Sequence, residues 1–113
     1  EGLASGPALE ARWRINPRLL PPEHPAWQLE AEYIAKAIHI ACCMYSPQRI
    51  ILGGGVMNQY QLFPQIRSLV RSSINGYIQS EFFSSGSEGF ILAPALGNYS
   101  GLFGGLVLAM AAC

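Results

Sequence analysis

The stretch RIILGGGVMNQ, residues 49–59, restricts the fold more than any other part of the chain. Ile50-Ile51-Leu52 is a β-branched, apolar run bounded by a charge and by glycines. That pattern reads as a strand buried on both faces. Gly53-Gly54-Gly55 follows directly. Consecutive glycines weaken any regular element, so the backbone must turn sharply there or let another object approach closely. The object is either a neighbouring helix or a ligand.

The segments around this run alternate in type. EGLASGPALEARWR reads as a helix with Leu3, Leu9 and Trp13 as its apolar positions and Pro7 in its first turn. Residues 15–25, with four prolines, read as a stiff loop or extended arm. AWQLEAEYIAKAIHIACCMYS is the strongest helix. Pro25 stands at its start, Trp27, Ala31, Ile34, Ile38, Cys42 and Tyr45 follow helical spacing, and Ser46-Pro47 ends it. After the glycines a helix is predicted from about Gln61 to Asn75, with Phe63, Ile66, Val70 and Ile74 on one face and Asn75-Gly76 as the stop. SEFFSSGSEGF reads as a polar loop. Phe90-Ile91-Leu92-Ala93 reads as a second strand stopped by Pro94, and ALGNYSG turns into a last helix over about 100–112.

The order α, α, β, α, β, α argues for parallel pairing in an α/β sheet. Two strands alone leave both sheet edges open, so further strands are expected from upstream or from a partner. Composition agrees. Only 12% of the 113 residues are charged, against about 25% in an average soluble domain. Much apolar surface must therefore be covered by the rest of the protein or by a second copy, and the balance favours a homodimer. The apolar stretch GLFGGLVLAMAAC is shorter than the roughly 20 residues that span a bilayer, and its glycines and alanines suit a tightly packed helix. The chain opens on Glu rather than Met and shows no signal-peptide pattern, which reads as a processed or truncated product.

Several chemistries are excluded by what the chain lacks. It contains no aspartate; all seven acids are glutamates. A mechanism that needs an Asp base or an Asp-bound magnesium is therefore not completed within these residues. Glu10, Glu30 and Glu32 have the spacing of solvated helix faces and are not catalytic candidates. Net charge is zero and the basic residues are scattered, so nucleic acid is not expected as a direct partner. Cys42, Cys43 and Cys113 have no metal spacing and read as buried thiols of a reduced, cytoplasmic protein. His24 and His39, far apart and without Cys or Asp company, read as structural or surface residues.

In open α/β sheets ligands bind beyond the carboxyl ends of the strands. Gly53–Gly55 and Gly97 lie at those ends. Two glycine-bearing turns on one edge would form a floor that a flat or phosphorylated ligand can approach without meeting a Cβ. The motif is neither GxGxxG nor a Walker A loop, since no Lys follows it, and by spacing alone tight helix packing is the favoured reading over a ligand site.

EGLASGPALEARW, HPAWQLEAEYIAKAI, SPQRIILGGGVM and LGNYSGLFGGLVLA, taken in order over the whole chain, resemble the C-terminal part of bacterial fructokinases of the ROK family (repressor, open reading frame, kinase). The resemblance implies an α/β fragment of the C-terminal lobe of the sugar kinase/actin-like, ribonuclease H-like fold, spanning 1–113 with two short strands and about four helices. It implies ATP with magnesium as co-substrate and a hexose, fructose, as phosphoryl acceptor. Gly53, Gly54 and Gly55 would form the nucleotide turn, with Gly54 and Gly55 as close-approach positions and Val56 and Met57 flanking the adenine. Glu1 would hydrogen-bond the sugar hydroxyls; on local grounds alone it is a glutamate near a helix N-terminus. The family's catalytic aspartate, phosphate loops and zinc ligands lie upstream of Glu1, so the segment is expected to be inactive by itself. In GNYSG, Tyr99 and Ser100 precede Gly101 where the family usually has Asn followed by Ala-Gly. Two other readings stand beside the kinase: a sugar-sensing regulator with an upstream DNA-binding helix-turn-helix, and a non-catalytic assembly module.

Overall fold

The computed structural model describes residues 2–77 and 89–112. Among these, the chain forms four α-helices and a two-stranded parallel sheet.

Helix α1 (Gly6–Trp13) begins five residues later than the sequence pattern suggests. Ser5 is extended, and its Oγ accepts the Ala8 N–H at 3.3 Å, so the helix is capped there with Pro7 in its first turn. Arg14 ends it in the left-handed region at φ 56°. The proline arm contains one 3₁₀ turn, Pro17–Leu19, and is tied down where Trp27 Nε1 donates to the Pro21 carbonyl at 3.0 Å.

Helix α2 (Pro25–Tyr45) is capped by His24, whose Nδ1 accepts the Ala26 N–H at 3.1 Å. Ser46 closes it at φ 46°, and Pro47 prevents its continuation. Trp27, Ala31, Ile38 and Cys42 are buried as their spacing predicts, joined by Ala26 and Ala35. Tyr45 is not: it is exposed at the last turn, beyond the reach of the opposing helix. Helix α3 (Leu62–Ile74) buries Leu62, Phe63, Ile66, Val70 and Ile74 and packs along α2. It stops at Asn75 (φ 43°) and Gly76 (φ 77°).

The strands are short. β1 (Ile50–Ile51) and β2 (Ile91–Leu92) pair in parallel, Ile50 opposite Ile91 and Ile51 opposite Leu92. The Ile50 N–H donates to the Phe90 carbonyl at 2.8 Å, and the Leu52 N–H to the Leu92 carbonyl at 2.9 Å. Parallel pairing through α3 is as the element order requires. Burial on both faces is not found: Phe90 and Ile91 are buried, but Ile51 is 65% exposed. Helix α3 packs against β2 on one side, and no described element covers the side that Ile51 faces.

Helix α4 (Ser100–Ala112) corrects another expectation. It forms where predicted, yet none of its residues is buried. Leu102, Phe103, Leu106, Val107, Leu108 and Met110 all stand exposed. A helix apolar on every side is of the kind that ends up enclosed, and among the described residues nothing encloses it. No described helix, this one included, is both long and apolar enough to cross a membrane. Of the predicted 80–90 loop, all but Gly89 and Phe90 lies outside the described residues.

The core therefore sits along the α2–α3 seam, with Leu9 of α1, Ile91 of β2 and Phe90 just before it. Truncating Ile66, fully buried there, to Ala should cost about 2–5 kcal/mol. The same change at Leu19, 76% exposed, should stay within about 0.5 kcal/mol. Urea unfolding of both variants checks the contrast.

Candidate functional site

The parallel register sends both strands out of the sheet at the same edge. The turns that follow them meet there. A Cβ built on Gly53 would lie 3.4 Å from Pro94 Cγ, so the turn after β1 lies against the turn after β2. The two glycine-bearing turns of the sequence are thus neighbours.

The three glycines do different things. A Cβ on Gly53 would rest in van der Waals contact with Pro94. Gly54 has φ 100° and ψ 172°, a conformation open essentially to glycine alone. Gly55 starts a 3₁₀ turn, Gly55–Asn58, and a Cβ on it would meet nothing within 4 Å. All three are exposed. Helix packing does not account for Gly54 or Gly55, because no described helix approaches either. Met57 is in the core at 7% exposure, and Val56 is half-buried against it. The turn is thereby anchored from below and open above. On the neighbouring turn, Gly97 is at φ 53° and its carbonyl accepts Ser100 Oγ at 2.7 Å. Arg67 holds the sheet from α3: its Nε and Nη2 donate to the Ile91 carbonyl at 3.1 and 2.7 Å. Glu1 lies outside the described residues.

Of the three glutamates read as solvated, Glu10 is exposed and Glu32 half-exposed, but Glu30 is completely buried. Its nearest charge is Arg12 on α1, with Nη1 3.8 Å from Oε2. Among the described residues neither Glu30 oxygen accepts a hydrogen bond, and Arg12 Nη1 donates none. Arg12 is held on its other side, where Nη2 donates to the Leu3 carbonyl at 3.1 Å and the guanidinium lies 5.1 Å from the Tyr33 ring centre. Burial raises the Glu30 pKa above 4.5, and Arg12 partly opposes that shift. The spacing of Glu30 reads as a solvated helix face; the burial is decided by α1, which brings Arg12 across it.

The histidines are structural in different ways. His24 caps α2 and meets Trp13 edge-on at 4.9 Å. His39 does have cysteine company: Cys43 Sγ lies 3.6 Å from its Nε2, one helical turn on. Its Nδ1 is 3.0 Å from Ser73 Oγ, which itself donates to the Val70 carbonyl. That arrangement makes Nδ1 the donor in the neutral ring and ties α2 to α3. The i, i+4 spacing of His39 and Cys43 is the signal that could have found the pair. Cys42 is buried and its thiol pKa is raised by burial and by Cys43, whereas Cys43 is exposed, contrary to its reading as a buried thiol.

Comparison with known proteins accounts for the whole chain. The model of the ROK family matches residues 1–112. The chain is 43% identical over 109 residues to a putative fructokinase of Bacillus subtilis strain 168, covering 96% of this chain and 36% of that protein. It is 42% identical over 112 residues to a fructokinase of Pediococcus pentosaceus, covering 99% of this chain and 38% of that protein. A fructokinase of Streptococcus mutans is 38% identical over 110 residues, covering 96% and 36%. The chain thus spans less than two-fifths of the length of these relatives.

Two stability measurements test the site's physics. Gly54→Ala should lose about 1–3 kcal/mol with no contact broken, while Gly55→Ala should not be destabilised by any clash; thermal unfolding distinguishes them. Glu30 should impose a slope with pH. Its folded pKa lies above its unfolded one, so the folded chain keeps a proton that the unfolded chain has lost. Stability should then fall as pH rises from about 4.5 through the raised value. Unfolding free energies of the wild type and Glu30→Gln across this range should converge or cross, the variant lacking that slope.

Proposed function

The chain belongs to the ROK family, and from that premise we propose that it is the C-terminal lobe segment of an ATP-dependent hexose kinase whose acceptor is fructose. Fructose is taken from the names of the relatives. The whole enzyme would move the γ-phosphoryl group of ATP to the sugar O6, with the base that accepts the hydroxyl proton outside this segment. The chain holds no aspartate, which is why it is inactive by itself in this reading.

One observation carries the proposal. At the carboxyl edge of a parallel strand pair, Gly54 holds a glycine-only conformation and Gly55 faces open space. This is the edge where α/β sheets receive ligands, and bare backbone lets a flat ring or a phosphate come close. Gly53 keeps the two turns together, Gly54 and Gly55 offer the approach, and Val56 flanks the adenine. Met57 supports the turn from the core, a role more indirect than adenine contact. Glu1 accepts hydrogen bonds from the sugar hydroxyls. Magnesium would accompany ATP, and the family's zinc would be held upstream. Among the described residues no three His, Cys, Asp or Glu side chains group together. The compartment proposed is the cytoplasm and the assembly a homodimer, in keeping with the large apolar surface of α4.

Calorimetric titration of ATP into the complete gene product carrying these residues, with a coupled assay for fructose phosphorylation, tests the reading. Gly55→Val should weaken ATP binding by at least roughly tenfold, about 1.4 kcal/mol, without lowering Tm. The 113-residue chain alone should phosphorylate nothing. ATP binding unchanged by Gly55→Val, or a complete protein that does not phosphorylate fructose, would overturn the assignment.

A further inference from the structure

The Ile91 carbonyl is held in an unusual way. Backbone carbonyls alternate in direction along a strand. Those of Phe90 and Leu92 accept from the Ile50 and Leu52 N–H groups of β1. The Ile91 carbonyl between them therefore lies on the other edge of β2, where a strand ordinarily offers its groups to a further strand. Arg67 of α3 takes that place instead, and its Nε and Nη2 both donate to this one oxygen, at 3.1 and 2.7 Å. Charge-assisted bonds of this kind are the strong ones, and a single donor would already satisfy the carbonyl. Satisfying a polar group is thus less than what this side chain does.

The guanidinium is itself fixed. It lies 5.5 Å from the ring centre of Phe63, one helical turn back on α3. Phe63 is buried, and it stacks at 6.4 Å on Tyr60, in the turn that leads from the glycines into α3. Arg67 therefore joins the two chain segments that form the candidate edge. Through Phe63 it holds the start of α3, just after the Gly55–Asn58 turn. Through Ile91 it holds β2 three residues before Pro94, against which a Cβ on Gly53 would rest. The next carbonyl along, that of Leu92, accepts from Leu52, the residue directly before Gly53. A lysine could bring a charge to this position, but not a planar fork of two donors together with a flat face for the Phe63 ring.

We propose that Arg67 is a positioning residue of the nucleotide site: by pinning β2 at the Ile91 carbonyl while resting on Phe63, it holds the Pro94 turn against Gly53 and so sets the backbone of Gly54 and Gly55 that ATP approaches. This rests on that edge being the nucleotide site. Arg67 touches no substrate; it acts through the two turns. Gly54 and Gly55 have no side chains to anchor them, so their placement depends on what holds their neighbours. Binding geometry is sensitive to displacements of about 1 Å, which gives a doubly bonded arginine at a strand edge a function beyond satisfying one carbonyl.

Steady-state kinetics of the complete gene product carrying these residues, in ATP and in fructose, test the inference. Arg67→Met removes both donors and should raise the ATP KM on the order of tenfold, leaving the fructose KM unchanged. Arg67→Lys keeps one charged donor and should show a smaller rise in the same constant; it carries the test if Arg67→Met does not fold. Ile66→Val, at the fully buried neighbour on α3, is the control for loosening the helix alone. It should lower Tm and leave the ATP KM unchanged. Pro94→Ala should also raise the ATP KM. Because Pro94 and Arg67 act through the same turn, the double variant should be little worse than the worse single one. An unchanged ATP KM in both Arg67 variants, equal rises in the ATP and fructose constants, an Ile66→Val variant that matches Arg67→Met in ATP KM, or multiplied effects in the double variant would overturn the inference while leaving the glycine turn as the ATP contact. ATP binding unchanged by Gly55→Val would instead remove the nucleotide assignment itself, and the inference would fall with it.

Discussion

A parallel strand pair cannot be closed by a tight turn; it needs a crossover long enough to bring the chain back to the edge from which it started. In this chain the pairing includes the backbone hydrogen bonds from the Ile50 N–H to the Phe90 carbonyl and from the Leu52 N–H to the Leu92 carbonyl. Everything about the candidate site follows from that pairing. It requires a crossover element, and α3 is that element. It sends both strands off the same edge, so the turn at Gly53–Gly55 and the turn at Pro94–Gly97 become neighbours though about forty positions separate them in sequence. Arg67, reaching from α3 to the Ile91 carbonyl, locks the crossover to the strand it serves.

The α2–α3 seam supplies the rigidity beneath this edge. Small residues on α2, Ala26, Ala31 and Ala35, are buried along with the larger Leu62, Ile66 and Val70 of α3. Large against small is how two helices approach closely without voids. The same seam keeps Met57 in the core, and so sets the height of the glycine turn over the sheet. Site and core are consecutive parts of one chain segment: Met57 is anchored, and two residues before it Gly55 is bare and open.

Two features show a surface made for more protein than these residues provide. Ile51 is exposed on a strand that reads as doubly buried, and α4 is apolar on all sides and enclosed on none. Both agree with a chain that matches only 36–38% of the length of its relatives. An exposed strand edge and an apolar helix are each unfavourable in water, and the family membership gives the physical reason they occur together here.

What local chemistry decides was legible in the sequence. Serine, proline and asparagine-glycine signals mark helix ends because they act on their own backbone, within a few residues. Ser46, Asn75 and Pro7 therefore stand where they were expected, and the faces of α2 and α3 follow from helical periodicity. The glycine run announced a turn for the same reason: the absence of a Cβ is a local property. The tertiary structure alone decided what depends on distant residues. The fate of Glu30 is settled by α1 bringing Arg12 across it, which no spacing within α2 reveals, and the exposure of Ile51 by what covers the other side of the sheet. Whether Gly55 meets a helix or open space was likewise undecidable from its neighbours in sequence, because burial is a property of the elements that fold against a residue and not of the residue itself.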